Sequence, residues 1–477
     1  MKKLFCILSL ILLLLPMLLS SCKTEEPLLI SDPDETYILS DDEKVVQEGP
    51  IPKDRYLSKD CDSEFDVYVC ESEDRFYFLG NPKNFEKYSG SGKKYVLYFE
   101  KESGRLRYLC AKEGCKHDSE DCNAFVSDRG LYRFALHDGK LLAALKDDKE
   151  APTDILLMQG ETDGSGFREI GKIYCDSVAA EPDMTNPEAE VYFHRDWCYV
   201  LSQKVTWEDE NRFDDHHAVA VEESYRLKRF RLDNLDISEE PYHETLKESW
   251  EHPYAYMLFD QNDACLIQGF ENDDEDRHGY IKDCAMNLYR FREGEEREEL
   301  YAGELPICLN SVRVLQGTVR ILGRNYQNDK AVLMRLDPEK KVFQEEETLG
   351  TFEETDDYLG NRLLFGDGFI IKYQGGSLFL EPEKFPDYRD TEIVQFFSEN
   401  GELIGKRSLN VKEILEKLHL QASDFETNSS LYINFLAVDR ENLYGAMTIT
   451  GTGRGYWNVF RLPVSEDEEW SLLFSKK

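Results

Sequence analysis

Cys110, Cys115, His117 and Cys122 fall within thirteen residues, in the run Cys110-Ala-Lys-Glu-Gly-Cys115-Lys-His117-Asp-Ser-Glu-Asp-Cys122. Three soft thiolates and a neutral imidazole are the donor set of a tetrahedral Cys3His zinc site. The spacing C-x4-C-x-H-x4-C is not that of a common zinc module. Cys115 and His117, two residues apart, reach one ion only from a turn, which Gly114 and Asp118-Ser119 would supply. Two other fates fit the same residues. One is a disulfide from Cys110 or Cys115 to Cys122, closing a short loop for about 3 kcal/mol in the chain-entropy picture; the other is unpaired thiols. A catalytic metal would further need an open coordination position and a base, for which Glu113 or Glu120 stand nearby.

Other candidate motifs lack the geometry their chemistry needs. His216-His217 follow Asp214-Asp215, but adjacent side chains of an extended segment point apart, so a solvated loop is expected. Gly451-Thr-Gly-Arg-Gly opens no helix and lies between two strand-like runs, so it makes no pyrophosphate cradle. Ser89-Gly-Ser-Gly-Lys93 has neither the spacing nor the helix of a phosphate loop. No G-x-S-x-G elbow or H-E-x-x-H helix occurs. Paired carboxylates for glycosidic chemistry stay open, because 95 acidic residues make such pairs inevitable and sequence does not measure their separation. A non-catalytic protein with no resident cofactor, other than the zinc the cysteines allow, is the first expectation.

The elements that must position these residues are strands. A β-rich run, a tight polar turn, a second run, a longer connection and a hairpin recur along the chain, with aromatic and β-branched residues in the runs and Gly, Asp and Asn in the turns. The clearest hairpin is Ile155-Leu-Leu-Met-Gln, Thr162-Asp-Gly-Ser-Gly, Phe167-Arg-Glu-Ile. The strand pairs that precede the hairpins centre on Phe76-Tyr-Phe-Leu, Lys140-Leu-Leu-Ala-Ala-Leu, Trp197-Cys-Tyr-Val-Leu, Cys265-Leu-Ile, Val319-Arg-Ile-Leu, Phe369-Ile-Ile and Leu443-Tyr-Gly-Ala-Met, which makes seven units. Four-stranded units in series without helices stack radially. The expected fold is all-β, a seven-bladed β-propeller over residues 60–477, with six and eight blades compatible with the same degenerate spacing. Cys198 and Cys265, inside apolar runs, read as small buried hydrophobes. One helix is expected between the last two units, where Asn410 and Glu413 form a capping pair and Val411, Ile414, Leu415 and Leu418 share a face.

The hairpin consensus, apolar-Tyr-Arg followed by Asp-Gly-Ser-Gly, resembles TolB-like propellers and the propeller lipoproteins of anaerobic Gram-positive bacteria. Those lipoproteins carry a similar Cys-rich turn after the first blade, which implies a structural role for the 110–122 segment. With the strands of each blade named A to D from the axis outward, A-to-B and C-to-D turns emerge on one face and B-to-C and D-to-A connections on the other. The short turns at His137-Asp-Gly, Arg195-Asp, Gly366-Asp-Gly, Asp439-Arg-Glu-Asn and Asp163-Gly-Ser-Gly are of the first kind. The long stretches 81–94, 206–222, 271–283 and 374–391 are B-to-C, and 110–130, 176–190 and the helix are D-to-A. The long-loop face is therefore the expected contact surface, with Tyr88, Trp207, Phe213, Phe385 and Tyr388 as candidate contacts.

The first residues indicate where the chain resides. Lys2 and Lys3 precede an apolar run from Leu4 to Leu19, which ends at Leu19-Ser20-Ser21-Cys22. The run is short of the ~20 residues a spanning helix needs, and has the layout of a cleaved export signal. It resembles the lipobox of bacterial lipoproteins at all four positions. That resemblance implies removal of residues 1–21, a diacylglycerol and acyl chain on Cys22, a lipidated polar tether over 22–59, and a membrane-anchored protein on the extracytoplasmic side. The net charge of −38 repels phosphate backbones, so nucleic acid is excluded as a partner. A 12% aromatic content sets the chain apart from disordered acidic tails, and no segment keeps the ligand pattern of an EF-hand loop. The expected function is binding of an extracellular protein, peptide or glycan. An extracytoplasmic enzyme acting on polysaccharide or peptide, and an envelope assembly scaffold, are the alternatives.

Overall fold

The protein was analysed as a computed structural model. It describes residues 37–39, 69–80, 93–103, 106–146, 154–174, 189–207, 220–235, 237–246, 253–259, 264–272, 283–292, 295–315, 317–325, 328, 330–351, 362–366, 368–375, 378–380, 390–425, 429–450 and 456–476. Among these residues the chain forms seven sheets, each centred on four antiparallel strands that follow one another along the chain but for one short strand lent by the sixth to the seventh, and the seventh also carries one short parallel strand at its edge. It is a seven-bladed β-propeller, as the repeat predicts.

A short strand β1 (Tyr37–Leu39) precedes the first blade. Blade 1 holds β2 (Val69–Glu71), β3 (Arg75–Gly80), β4 (Lys94–Glu100), β5 (Leu106–Tyr108) and β6 (Phe125–Ser127). Blade 2 holds β7 (Leu131–His137), β8 (Lys140–Lys146), β9 (Asp154–Glu161) and β10 (Phe167–Tyr174). Blade 3 is β11 (Ala189–His194), β12 (Trp197–Trp207), β13 (Ala220–Arg231) and β14 (Ile237–Leu246). Blade 4 is β15 (Pro253–Phe259), β16 (Ala264–Asn272), β17 (Asp283–Phe291) and β18 (Glu298–Leu305). Blade 5 is β19 (Cys308–Leu315), β20 (Thr318–Asn325), β21 (Lys330–Asp337) and β22 (Val342–Thr351). Blade 6 is β23 (Arg362–Phe365), β24 (Phe369–Gln374), β26 (Thr391–Ser398) and β27 (Leu403–Asn410); the short β25 (Leu378–Leu380) leaves its B-to-C connection to pair with the next blade. Blade 7 is β28 (Ser429–Val438), β29 (Asn442–Thr450), β30 (Tyr456–Pro463) and β31 (Ser471–Lys476).

A blade is covered on both faces, and that is why its inner strands read as unbroken apolar runs. In β8 the five residues between Lys140 and Lys146 are all buried. Leu141, Ala143 and Leu145 pack toward blade 1, while Leu142 and Ala144 pack toward blade 3. Seven such clusters follow one another around the ring, one between each pair of neighbouring blades. The last joins blade 7 to blade 1, where the rings of Phe76 and Tyr444 meet edge-on at 4.5 Å. Cys198 and Cys265 are buried in these clusters, as their apolar neighbours predict.

The predicted helix is α1 (Val411–Lys417). Asn410 caps it by accepting a hydrogen bond from the Glu413 backbone N–H at 3.3 Å. Val411, Ile414, Leu415 and Leu418 are buried in the cluster between blades 6 and 7, so the helix is a packing element of that junction.

The strand boundaries sort the connections by length. Every A-to-B turn spans at most four residues and every C-to-D turn at most seven, whereas B-to-C and D-to-A connections reach 16 and 18. The β7–β8 turn shows how the short ones are made: Asp138 and Gly139 take φ of +47° and +69°, the left-handed pair of a two-residue hairpin whose twist matches its strands.

Within the 22–59 segment, β1 pairs in parallel with β31, Tyr37 opposite Phe474 and Leu39 opposite Lys476. It adds a strand to the outer edge of blade 7. Among the described residues no helix is long and apolar enough to cross a membrane.

Candidate metal centre

The outer strand of blade 1 is split. β5 pairs with Leu97, Tyr98 and Phe99 of β4, and β6 pairs with Lys94 and Tyr95 of the same strand. Val96 lies between and serves both ends of the gap: its carbonyl accepts the Leu109 N–H at 2.9 Å and its N–H donates to the Ala124 carbonyl at 2.8 Å. The residues between Leu109 and Ala124 are thus an insertion at a single rung of the ladder. The sequence places this segment in a D-to-A connection on the long-loop face; the structure corrects that reading. The insertion stands at the perimeter, where its two ends hydrogen-bond the β9–β10 turn of blade 2, one of the short turns. Ala111 N–H and the Asn123 side-chain amide both donate to the Gly164 carbonyl at 3.0 Å.

The four predicted ligands converge. One donor atom from each of Cys110, Cys115, His117 and Cys122 lies within 4.8 Å of all the others. A tetrahedral zinc ion, with bonds of ~2.0 to 2.3 Å, separates its ligands by roughly 3.5 to 3.8 Å, so small side-chain movements suffice. The set can bind a metal ion. Two left-handed residues fold the segment inward, Gly114 at φ +68° and His117 at φ +52°. The second is costly for a side chain with a Cβ and persists only where the surroundings enforce it. Here they do: the His117 ring is 5% exposed, stacks on Tyr108 at 4.3 Å and 12°, and brings Nδ1 to 3.2 Å from Cys122 Sγ. Turns from Lys112 to Cys115 and from Ser119 to Cys122 complete the pocket.

Hydrogen bonds from Cys122 and then His117 hold the Cys110 thiol well below its usual range, against the opposing effect of burial. Cys122 is pushed up, first by its bond to Cys110 and then by burial. Burial raises the Tyr108 and Tyr95 phenols, with the Cys122 sulfur acting in the same direction. Cys110, Cys115 and Cys122 are separate thiols, not joined as a disulfide. Glu113 and Glu120 are exposed at the rim, Glu120 beside Lys93 at 3.7 Å, so neither is aimed into the pocket as a base.

Sequence reasoning missed the residues that support the cluster. Tyr95 and Phe125 meet edge-on at 5.6 Å and Tyr95 and Tyr108 at 6.0 Å, forming its aromatic floor. Nothing distinguishes these tyrosines from other strand aromatics until β4 and β6 are paired. Cys22, Tyr88, Phe213, His216, His217, Phe385 and Tyr388 lie outside the described residues, and of Trp207 only the backbone is described.

No known protein family matches this chain, and no curated protein matches it in sequence. Several solved structures are weakly similar to this chain. A prolyl endopeptidase superposes with a TM-score of 0.44 at 12% identity, over 86% of this chain and 49% of its own, so the chain spans about half of that enzyme's length. An oligogalacturonate lyase in complex with manganese gives 0.38 at 12% identity, over 76% and 82% of the two chains. The β-propeller domain of the Trilobed protease from Pyrococcus furiosus gives 0.40 at 10%, over 89% and 96%. The fold and the blade count rest on the seven sheets themselves.

Proposed function

We propose that the protein is a membrane-anchored extracytoplasmic binding propeller, held by lipid on Cys22, whose long-connection face takes up a protein, peptide or glycan and does no chemistry on it. The observation that carries this reading is the sorting of the connections. Fourteen short turns close one end of the blades, and every connection between successive A-to-D strands that is longer than seven residues leaves from the other, the 109–124 insertion within the outer strand of blade 1 being apart from both sets. Long loops on a rigid scaffold are where binding surfaces are built, and seven buried inter-blade clusters make the scaffold rigid.

The position of β1 supports the same orientation. β31 runs away from the short-turn face, and β1 runs parallel to it. The chain therefore enters β1 from the short-turn side. The 15 positions from Cys22 to Thr36 span at most ~50 Å when extended. A lipid on Cys22 would draw the short-turn face toward the bilayer and leave the long connections pointing outward.

The test is a screen of the chain beginning at Lys23 on peptide and glycan arrays, repeated after residues 208–219 and 273–282 are each replaced by a two-residue turn. Binding that is lost on either replacement, with the ligand recovered intact, is the expected result. Binding indifferent to both replacements removes the assigned face, and a ligand recovered cleaved makes the protein an enzyme.

A further inference from the structure

We propose that Cys110, Cys115, His117 and Cys122 bind one zinc ion in a closed, four-coordinate site, with His117 ligating through Nδ1, and that this ion fixes the outer-strand insertion of blade 1. The inference is independent of what the long-connection face binds.

The donor set is selective. Three thiolates and one imidazole suit a borderline-soft ion without geometric preference, whereas oxygen-seeking calcium or magnesium has no ligand there. All four positions of a tetrahedron are supplied by the chain, which leaves no open position for water or substrate and makes the site structural. Binding releases the protons of those cysteines that are still thiols, and no electrons move.

His117 decides between metal and disulfide. A disulfide would consume two of the three sulfurs and would need no imidazole. Yet the structure spends a left-handed backbone and a buried ring on aiming His117 at the sulfurs. Nδ1, not Nε2, is the atom 3.2 Å from Cys122 Sγ. Tyr108 stacks against the ring and fixes its plane.

The consequence lies in the ladder. The insertion opens at one rung, Val96, and a break in an outer strand frays unless something closes it. Cys110 is the first residue after Leu109, and Cys122 is two residues before Ala124. A metal holding both sulfurs clamps the two ends beside their shared partner. Lys112 spans the same gap, its Nζ donating to the Asp121 carbonyl at 3.1 Å.

The experiment uses the full chain purified without chelator or reductant. Native mass spectrometry and elemental analysis are expected to give one zinc per chain, and cobalt exchanged into the site to give the visible spectrum of a tetrahedral thiolate centre. Cys115→Ser and His117→Ala should drop the ion from one per chain to none, while His117→Cys, which keeps four soft ligands, should retain it. If a variant does not fold, the unmodified protein answers through alkylation: three cysteines are protected until a chelator removes the ion, and become reactive afterwards. A metal-free protein with two hydrogens fewer and a Cys110–Cys122 or Cys115–Cys122 cross-link overturns the proposal. So does another metal in place of zinc, zinc that survives Cys115→Ser, or alkylation that a chelator does not change.

Discussion

Asn123 and Gly164, 41 residues apart, are joined by a hydrogen bond of 3.0 Å from the Asn123 side-chain amide to the Gly164 carbonyl. The same carbonyl accepts the Ala111 N–H, so one oxygen in the turn of blade 2 holds both ends of the Cys-rich insertion of blade 1. Asn123→Ala removes one of these two tethers and should cost about 1 kcal/mol. Its signature would be local: faster proteolysis between residues 111 and 121, with the far-side blades unchanged in amide exchange. Uniform acceleration around the ring would show that the contact is not a local staple.

Gly405 shows how closely blades 6 and 7 approach. A Cβ there would lie 2.5 Å from the backbone carbonyl of Val464, which has no flexible end to move. Beside it, the Lys406 N–H donates to Glu466 at 2.8 Å and Arg407 to the Ser465 carbonyl at 2.9 Å. Gly405→Ala should destabilise by about 1 to 3 kcal/mol, measured by denaturant unfolding. An unchanged midpoint would mean that the two blades are free to move apart.

Tyr444 predicts an alkaline limit to stability. Burial raises its phenol, helped by the Asp439 carboxylate to which its O–H donates at 3.0 Å. Folded pKa above unfolded means that, from about pH 10 upward, the unfolded chain releases a proton the folded one keeps, so stability falls as pH rises toward the folded value and is intact below pH 10. Burial raises Tyr98 in the same way. Tyr444→Phe should make the fall above pH 10 shallower by up to ~1.4 kcal/mol per pH unit. An identical slope would place the alkaline transition elsewhere.

The strand β1 covers the outer edge of blade 7 through Phe474, Ser475 and Lys476. A chain beginning at residue 60 should exchange the amides of 474–476 faster than one beginning at residue 23, while β28 and β29 stay protected. Equal exchange at 474–476 would mean that the N-terminal segment does not hold that edge.

Much of this was legible in the chain. Strand-like runs separated by turns of Gly, Asp and Asn gave the blades, with seven expected and six and eight left open, because strand-forming side chains and left-handed turn residues are local properties of a strand and a hairpin. The Asn410 cap and the 411, 414, 415, 418 face gave the helix for the same reason. Near-continuous apolar runs such as Leu-Leu-Ala-Ala-Leu at 141–145 already imply burial on both faces, since one solvated face would have left polar residues at every second position.

The sequence also named Cys110, Cys115, His117 and Cys122, but it left open whether they meet. Their convergence depends on a left-handed His117, on the stacking of Tyr108, and on a ladder that opens at Val96 and closes again at the same residue. Only tertiary structure decides such things: whether a strand resumes after an interruption is set by its partner strand, 13 to 28 positions upstream for the gap at Val96. That the insertion's ends are tied to the turn of blade 2 was likewise settled by the Gly164 carbonyl of another blade. Local spacing fixes which atoms are available to bond; the packing of blade on blade fixes which of them are brought within reach.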